Sequence, residues 1–356
     1  MLMLPADRAR ALCLAVFDHL GFTPAEAADC ADAIMFATLR GLDTHGIVSI
    51  LPGIAGSVKA GRIEPRATIL TLRESPVTAV YRGNGAAGPA VAAHAMRAAI
   101  ARARAHGVGL TTVANANHFG AASAYAAMAP REGMIGIVCC NAGPVVAPYG
   151  GAGPLHGTNP IAYAAPAGAA PPLVLDIATS AAAHGQIFKA KRRGQPIPLG
   201  WALDAAGKPT TDPNAALEGV LLPFGGHKGY GIGVLVDLLT GALTGTTIGL
   251  GVRQGDPDRL QGGQAFFLLA INVEFFTDLA TYRAKIDQLY RDAKSIPPAE
   301  GFSEVLLPGE LEWRAEQERR RSGIPLYPAD WEALAGGLER AGIPAEIIAA
   351  HAPSEG

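Results

Sequence analysis

The stretch from residue 77 to residue 116 constrains the fold most, because it reads in order as a strand, a helix and a second strand. An apolar run, "VTAVY", precedes a glycine-rich turn, and an alanine-rich segment from Pro89 to His106 follows. The next run, "VGLTTVAN", again has the β-branched and apolar texture of a strand. This order is typical of α/β proteins, and it places the middle of the chain in that class.

The glycines of this turn match a known fingerprint. Gly83, Gly85 and Gly88 spell G-x-G-x-x-G, the phosphate-binding pattern of Rossmann folds. A complete fingerprint also needs an Asp or Glu at the end of the second strand, and that strand runs into "ANANH" without an acid. We therefore interpret the glycines as a plain strand–helix turn. The alternative, a Rossmann site, predicts that a bulky residue at Gly85 abolishes cofactor binding.

Both ends of the chain have a helical pattern. Within residues 5–60, Ala, Leu and Arg recur at helical spacing. Thr23, Pro24 and Glu26 form a helix-start signature of N-cap, first-turn proline and capping-box acid. Residues 311–348 return to the helical pattern. Helical ends around an α/β middle suggest that the two ends pack together.

We therefore predict two domains. Residues 1–75 and 305–356 form one discontinuous helical domain, and residues 76–304 form an α/β domain that binds cofactor and substrate. The 356-residue length fits this division, since it exceeds the usual size of a single core.

The charge balance argues against nucleic acid as a partner. The chain has 29 Lys and Arg against 31 Asp and Glu, a net charge of −2, whereas nucleic-acid binders are usually strongly basic. The densest basic runs, residues 188–194 and 319–321, have no interleaved aromatic pattern, and we interpret both as solvated surface.

The cysteines and the apolar runs indicate a cytoplasmic protein. Cys13, Cys30, Cys139 and Cys140 form no C-x-x-C pair, so we predict buried free thiols in a reducing compartment. The longest apolar stretches are interrupted or shorter than the roughly 18 residues that a membrane span needs, so no membrane partner is expected.

Two histidines stand in polar turns that suit catalysis. His45 lies in "RGLDTHGI", where Arg40, Asp43 and Thr44 are placed to orient it. The alternative is a surface-turn histidine that is hydrogen-bonded to Asp43. His118 in "NANHFG" follows a strand and precedes a helical segment, where free backbone N–H groups can hold an anion. A capping or packing role is the alternative for His118.

Two further segments are candidates for ligand contact. Lys228 in "GGHKGYG" lies at a glycine-rich helix start that can bind phosphate or carboxylate. Asp176, Thr179 and Ser180 in "LDIATS" follow a strand, although an ordinary N-cap explains them equally well. The histidines form neither H-x-x-x-H nor H-E-x-x-H, so we predict no metal site.

Taken together, these segments resemble the malate/L-lactate dehydrogenase family of type 2. Its members include malate, sulfolactate and ureidoglycolate dehydrogenases, diketogulonate reductase and Δ1-piperideine-2-carboxylate reductase. The matching segments run in family order: "RGLDTHGI", "NANHFGAASAYA", "GTNPIA", "LDIATS", "GWALDAAGKPTTDP", "LLPFGGHKGYG" and "LPGE". They span nearly the whole chain, which makes the resemblance far more specific than any one motif.

The resemblance implies an α/β, non-Rossmann NAD(P)-binding fold, with a mixed-sheet middle, a helical domain from both chain ends and a homodimeric assembly. It also assigns roles to residues of this sequence. The implied catalytic residues are His45, His118 and Thr44. The implied cofactor contacts are His118, Phe119, Gly120, Asp176, Thr179, Ser180, His227, Lys228, Pro308, Gly309 and Glu310. The implied substrate contacts are Arg40, Ser49, Thr158 and Asn159.

This chain departs from the family pattern at two places. Ser49 stands where members commonly carry an Arg that resembles a clamp for the substrate carboxylate. The frequent "ARGK" appears as "AHGQ" at residues 183–186, with the loss of two positive charges. Losing a bidentate Arg weakens the case for an ordinary 2-hydroxy acid. The substrate is then smaller, differently charged, or held by another residue such as Arg40.

The resemblance implies an NAD- or NADP-dependent oxidoreductase with a small-molecule substrate. It would move a hydride between nicotinamide and a 2-hydroxy/2-oxo acid of the malate or lactate kind, or a related imino acid. The alternative is a non-catalytic member that kept the cofactor cleft and lost its chemistry through Ser49 and Gln186.

Overall fold

A computed structural model of the protein describes residues 1–252 and 263–355. The strands are β1 (Leu2–Leu4), β2 (Leu70–Glu74), β3 (Thr78–Arg82), β4 (Val108–Ala116), β5 (Met134–Cys140), β6 (Ile161–Ala165), β7 (Leu173–Ile177), β8 (Ala202–Leu203), β9 (Pro209–Thr210), β10 (Val220–Leu221), β11 (Gln264–Asn272), β12 (Ile324–Leu326) and β13 (Ser354–Glu355). The α-helices are α1 (Ala6–His19), α2 (Pro24–Leu39), α3 (Ile47–Lys59), α4 (Gly88–His106), α5 (Ser123–Ala126), α6 (His184–Arg193), α7 (Pro213–Glu218), α8 (His227–Asp237), α9 (Leu279–Ser295), α10 (Glu310–Ser322), α11 (Pro328–Ala341) and α12 (Ala345–Ala350).

A seven-stranded mixed sheet forms the middle of the molecule. Its order is β2-β3-β4-β11-β5-β6-β7. Within the described residues, β3 and β4 pair in parallel and the other neighbours pair antiparallel. The prediction of a mixed α/β middle is therefore confirmed. Strand β11, which comes late in the chain, lies between β4 and β5, a placement that no local sequence pattern indicates.

The glycine-rich turn joins β3 to α4 as predicted. Gly85 has a φ of +84°, which a glycine adopts without strain. A Cβ at Gly88 would lie 2.3 Å from the carbonyl oxygens of both Asn117 and His118. Asn117 also donates from Nδ2 to the carbonyl of Ala86 at 2.9 Å. The start of α4 is thus packed against the loop that carries His118.

The two chain ends meet in one apolar core. This core combines buried residues of α1 and α2, such as Leu12 and Ile34, with Leu334 and Leu338 of α11. A small sheet of order β12-β1-β13 joins the same ends. Strand β12 lies inside residues 311–348, which we interpreted as helical, because three residues are too few to show an alternation. The domain boundaries at residues 75 and 305 stay a prediction.

Helix α2 begins with the predicted capping box. Thr23 accepts a hydrogen bond from the Glu26 backbone N–H at 3.3 Å, and the Glu26 carboxylate accepts one from the Thr23 backbone N–H at 3.0 Å. A cap of this kind is worth about 1 kcal/mol of helix stability.

In three segments the structure differs from what the local sequence pattern alone suggests. The alanine-rich residues 121–130 form only the single turn α5 and a 3-10 turn, since so short a run nucleates poorly and Pro130 cannot continue an α-helix. The loop-rich region 141–215 contains α6, whose basic residues 191–193 are exposed as predicted. Helix α8 ends at Asp237, and the apolar pattern continues as a π-turn.

The predicted thiols are present: all four cysteines are free and buried. Within residues 1–252 and 263–355, we find no cluster of three or more His, Cys, Asp or Glu side chains arranged to hold a metal ion. No helix in that part of the chain has the length and apolar character needed to cross a bilayer.

Candidate active site

Two imidazoles from distant parts of the sequence lie face to face. His45 ends a 3-10 turn between α2 and α3, and His118 follows β4. Their ring centroids are 5.6 Å apart and the ring planes differ by 11°. Two imidazoles this close can act on the same substrate atom, one as a base and the other as a hydrogen-bond donor. The structure thus brings together the two histidines that the sequence singled out.

The His118 ring has a defined neutral form. The Gly120 backbone N–H donates to Nδ1 at 3.2 Å, so a neutral ring carries its proton on Nε2. One edge of the side chain is open to solvent. The protein around the ring nevertheless removes hydration, and this burial together with the neighbouring His45 lowers the pKa of His118 to about 4. At neutral pH, His118 is therefore an uncharged hydrogen-bond donor.

The His45 ring is half-buried and is oriented by its neighbour. Thr44 Oγ1 and His45 Nδ1 are 2.9 Å apart, and the direction of this hydrogen bond depends on the tautomer. Burial lowers the pKa of His45, and the negative charge of Asp176 raises it in part. His45 is thus neutral at pH 7, and Asp176 favours the protonated form when the ring accepts a proton.

Asp176 at the end of β7 is held by a residue that sequence reasoning missed. Ser123 donates to Asp176 Oδ2 from its backbone N–H at 2.8 Å and from its hydroxyl at 2.6 Å. Burial raises the pKa of Asp176, while the bonds from Ser123 and the charge of His45 lower it. The sequence shows Ser123 as a lone serine in the alanine-rich turn after His118. It does not show that its partner is Asp176, which lies 53 residues away.

Helix α10 holds the first part of the loop that carries His45. Arg40 Nε is 2.9 Å from Glu316, and its guanidinium lies 4.4 Å above the Phe36 ring. Arg319 donates to the Thr38 carbonyl and is 3.5 Å from Asp43. The contacts of Arg40 thus lie with α10 and α2, and its predicted role at the substrate stays a prediction.

The interpretation of residues 319–321 as solvated surface was wrong for its first member. The Arg319 side chain is only 17% exposed because it lies under the His45 loop, whereas Arg321 is 77% exposed. The spacing of a charge run does not reveal which member faces inward.

The departure "AHGQ" lies beside the imidazole pair. A Cβ at Gly185, near the start of α6, would be 2.7 Å from Thr44 Cγ2. Gln186 is exposed in the same turn. Ser49 is exposed in the first turn of α3, with its hydroxyl 3.4 Å from the Asp43 carbonyl. Ser49 and the "AHGQ" turn, where positive charges of the family pattern are lost, therefore both adjoin the His45 loop.

The predicted contacts in "GTNP" and "ATS" support α8. Asn159 is completely buried, accepts from the Ala142 N–H, and donates to the Gly233 carbonyl and to Asp237. Thr179 donates to the Thr158 carbonyl from both its N–H and its hydroxyl. In a separate bond, the Ser180 hydroxyl donates to the Ala182 carbonyl at 2.7 Å. Asn159 thus fixes the middle and the end of α8, while Thr179 ties its own segment to that of Asn159.

The start of α8 has the character of an anion site. Gly225 and Gly226 have φ values of +54° and +63°, and no side chain caps the helix. His227 and Lys228 are exposed in its first turn. A cavity of about 490 Å³ adjoins the two glycines, with Tyr149 in its wall. The N-terminal end of the helix dipole and an exposed lysine together favour a phosphate.

The "LPGE" segment supports the strand that carries Asp176. The Val174 N–H donates to the Pro308 carbonyl at 3.2 Å, and a Cβ at Gly309 would be 2.5 Å from the Val174 carbonyl oxygen. Glu310 is 6% exposed, ion-paired with Lys294 at 2.8 Å, and also bonded to the Leu307 N–H. The roles assigned to these residues by resemblance stay predictions.

Phe119 anchors the loop that follows His118. Its ring is buried and stacks on Phe266 at 4.4 Å and on Tyr125 at 5.1 Å. The Tyr125 hydroxyl donates to the Phe119 carbonyl. Gly120 has a φ of +84°, which turns its N–H toward His118. Phe119 and Gly120 thus fix the His118 ring from the core side.

The family model described as malate/L-lactate dehydrogenase matches residues 4–335. The chain is 40% identical to the L-sulfolactate dehydrogenase of Methanocaldococcus jannaschii, over 90% of this chain and 92% of that protein. It is 35% identical to the NAD(+) ureidoglycolate dehydrogenase of Escherichia coli K12, over 88% of this chain and 89% of that protein. It is also 35% identical to the NADP(+) (2R)-3-sulfolactate dehydrogenase of Chromohalobacter salexigens, over 90% and 93%.

Solved structures agree with the sequence match. The malate dehydrogenase of Entamoeba histolytica superposes with a TM-score of 0.91 and 30% identity, and the match covers 96% of this chain and 98% of that one.

Proposed function

Since this chain belongs to the malate/L-lactate dehydrogenase family, we propose that it transfers a hydride between nicotinamide and a 2-hydroxy/2-oxo acid pair. Membership makes it an oxidoreductase that acts on CH–OH groups and uses NAD or NADP. The stacked pair of His45 and His118 carries the proposal, because oxidation of a hydroxyl needs a base and a donor at one oxygen. A related cyclic imino acid is a second substrate class within the same proposal.

The described residues fit a dinucleotide. The start of α8, which has no side-chain cap and carries Lys228 and two glycines of positive φ, suits the pyrophosphate, and the adjoining cavity offers room beside it. When bound, the nicotinamide supplies the hydride donor or acceptor. We assign Lys228 and His227 to the phosphates. A turnover assay with each cofactor in turn determines whether NAD or NADP is preferred.

The imidazoles then have different tasks. His45, neutral at pH 7 and favoured in its protonated form by Asp176, takes the proton of the substrate hydroxyl, with Thr44 orienting the ring. His118, whose pKa is about 4, stays neutral and donates from Nε2 to the same oxygen. We assign the acid/base role to His45 because the negative charge of Asp176 raises its pKa and so favours its protonated form.

The cleft suggests an acid that needs no arginine clamp. Ser49 and Gln186 are exposed, uncharged and close to the His45 loop, while Arg40 is paired with Glu316. We propose that hydroxyl and amide donors bind the substrate carboxylate here, with lower affinity than a bidentate Arg. A homodimer in the cytoplasm completes the proposal, and light scattering of the purified protein tests the dimer.

The deciding experiment is a turnover assay. We expect the nicotinamide absorbance to change when the protein is mixed with NAD(+) or NADP(+) and malate, lactate, sulfolactate or ureidoglycolate. The reverse assay uses NADH or NADPH with 2-oxo acids and cyclic imines. Cofactor binding without turnover across both panels would instead support the non-catalytic alternative.

The pH dependence has a definite sign. Because the pKa of His45 is lowered, the neutral base persists below the ordinary histidine range. We expect kcat/KM for oxidation to rise with pH and to reach its plateau at a lower pH than an ordinary histidine would give. We expect kcat/KM for reduction to fall over the same range. Asp176→Asn removes the charge that raises the pKa of His45, so the midpoint moves to lower pH. An unchanged midpoint in Asp176→Asn contradicts the assigned base.

Arg319→Gln should loosen the His45 loop without touching the cofactor. Its bonds to the Thr38 carbonyl and to Asp43 are lost, and a charged hydrogen bond is worth about 1.5–3 kcal/mol. We expect kcat to fall roughly tenfold, since small misplacements of catalytic groups are costly. Arg321→Gln, exposed on the same helix, is the control. Equal kcat in the two variants refutes the idea.

A further inference from the structure

One short helical turn contacts the partners of both imidazoles. Helix α5 begins at Ser123, which is 1% exposed and directs both its N–H and its hydroxyl to Asp176 Oδ2. Two residues later, the Tyr125 hydroxyl donates to the carbonyl of Phe119, next to His118. The turn therefore joins β7, which carries Asp176, to the loop that carries His118.

We propose that Ser123 is a positioning residue, which fixes the Asp176 carboxylate beside His45 so that His45 works as the base. The inference rests on the proposed function, since it concerns the same site. Ser123 itself contacts neither the imidazole pair nor a reacting atom in the described contacts, so it acts through Asp176.

The physical argument starts from the burial of Asp176. A carboxylate away from water stays charged only when hydrogen bonds compensate its lost hydration. Ser123 supplies two such bonds to one oxygen, at 2.6 and 2.8 Å. Bonds to Oδ2 from a rigid turn fix the rotation of the carboxylate and leave Oδ1 to face elsewhere.

The charged and titratable surroundings of Asp176 support the same conclusion. His45 lowers its pKa, whereas burial and Glu312 of α10 raise it, and the Cys140 thiol of β5 is a further electrostatic neighbour. Among these groups, only the Ser123 bonds and His45 therefore oppose the protonation of Asp176. Without the Ser123 hydroxyl, a larger fraction of Asp176 is protonated at mildly acid pH. Neutral Asp176 has no charge with which to stabilise protonated His45.

The test compares loss and retention of the hydroxyl. Ser123→Ala and Ser123→Gly keep the backbone N–H and remove the hydroxyl, whereas Ser123→Thr keeps it. The matched control is Thr111→Val, which removes a buried hydroxyl of β4 that donates to the carbonyl of Ala95 in α4. Having two hydroxyl-free variants keeps the test decisive if one of them fails to fold.

The first readout needs no substrate. Titration of the His45 ring by NMR, assigned through the missing signal in His45→Asn, should give a lower midpoint in Ser123→Ala, shifted toward that of Asp176→Asn. Ser123→Thr and Thr111→Val should titrate as the unaltered protein does. A His45 titration that is unchanged in both Ser123→Ala and Ser123→Gly overturns the inference, whatever the enzyme turns over.

The second readout is the pH profile. At pH 5.5 we expect kcat/KM for reduction to be about tenfold lower in Ser123→Ala than in the unaltered protein, because fewer His45 rings then carry the proton that reduction needs, the equivalent of ~1.4 kcal/mol from one charge-assisted bond. At pH 8 we expect a difference within about twofold, because higher pH favours the ionised carboxylate in both proteins. A loss of equal size at both pH values contradicts a positioning role. Absence of turnover in the unaltered protein refutes the proposed function, and the NMR titration still decides the role of Ser123.

Discussion

His45→Asn is expected to lower kcat/KM for the 2-hydroxy acid by about 100- to 10,000-fold, the usual contribution of a general base. Asn retains the size and the hydrogen bonding of the ring edge but cannot take a proton at pH 7. The Thr44 contact and the Asp176 charge then have no imidazole to orient or support. Steady-state kinetics at saturating cofactor measures the loss.

His118→Asn should lose less, roughly ten- to a hundredfold, because a neutral donor is replaced by another neutral donor in a different position. The control is His94→Asn, an exposed histidine of α4 whose ring packs on Tyr81. We expect it to keep full activity. Cofactor affinity, measured by quenching of protein fluorescence, should be the same in His45→Asn as in the unaltered protein. If His45→Asn retains half of the turnover, the base lies elsewhere.

Gly88→Ala is expected to have the second largest effect. Its Cβ would lie 2.3 Å from the carbonyl oxygens of Asn117 and His118, so either α4 or the His118 loop must move. Overpacking of this kind costs about 1–3 kcal/mol of the free energy of unfolding. Displacing His118 by about 1 Å lowers kcat by up to roughly a hundredfold. Thermal unfolding and kinetics together measure both consequences.

Gly85→Ala separates the scaffold from a Rossmann site. Gly85 has a φ of +84°, and Ala in the left-handed region costs about 1–2 kcal/mol. We therefore expect a stability loss comparable to that of Gly88→Ala, with kcat and cofactor affinity largely retained. The Rossmann interpretation makes the opposite prediction, that cofactor binding disappears when Gly85 is substituted. Isothermal titration with NADH and NADPH distinguishes the two.

Sequence patterns singled out His45 and His118, but they did not reveal the residues that hold these histidines. His45 and His118 stand in short polar turns after a helix and a strand, where chemistry-bearing side chains are recognisable. Ser123 and Arg319 act on atoms 53 and 281 residues away, and such pairings depend on how the elements pack. Local spacing contains no information about that packing.

The same limit applies to the fold. The capping box of α2 and the strand–turn–helix unit at Gly88 were predictable because each rests on residues a few positions apart. The insertion of β11 between β4 and β5 was not, because strand order follows from the burial of whole faces. The basic run at residues 319–321 has the same limit, since Arg319 is largely covered whereas Arg321 is exposed.

The tie between the two chain ends has a consequence for how the protein is made. Strand β1 pairs with β12 and β13, and the His45 loop is held by Glu316 and Arg319 of α10. Contacts so distant in sequence form slowly. During translation, the residues around His45 emerge from the ribosome long before α10 exists. The growing chain therefore carries an unsupported His45 loop until α10 has been synthesised.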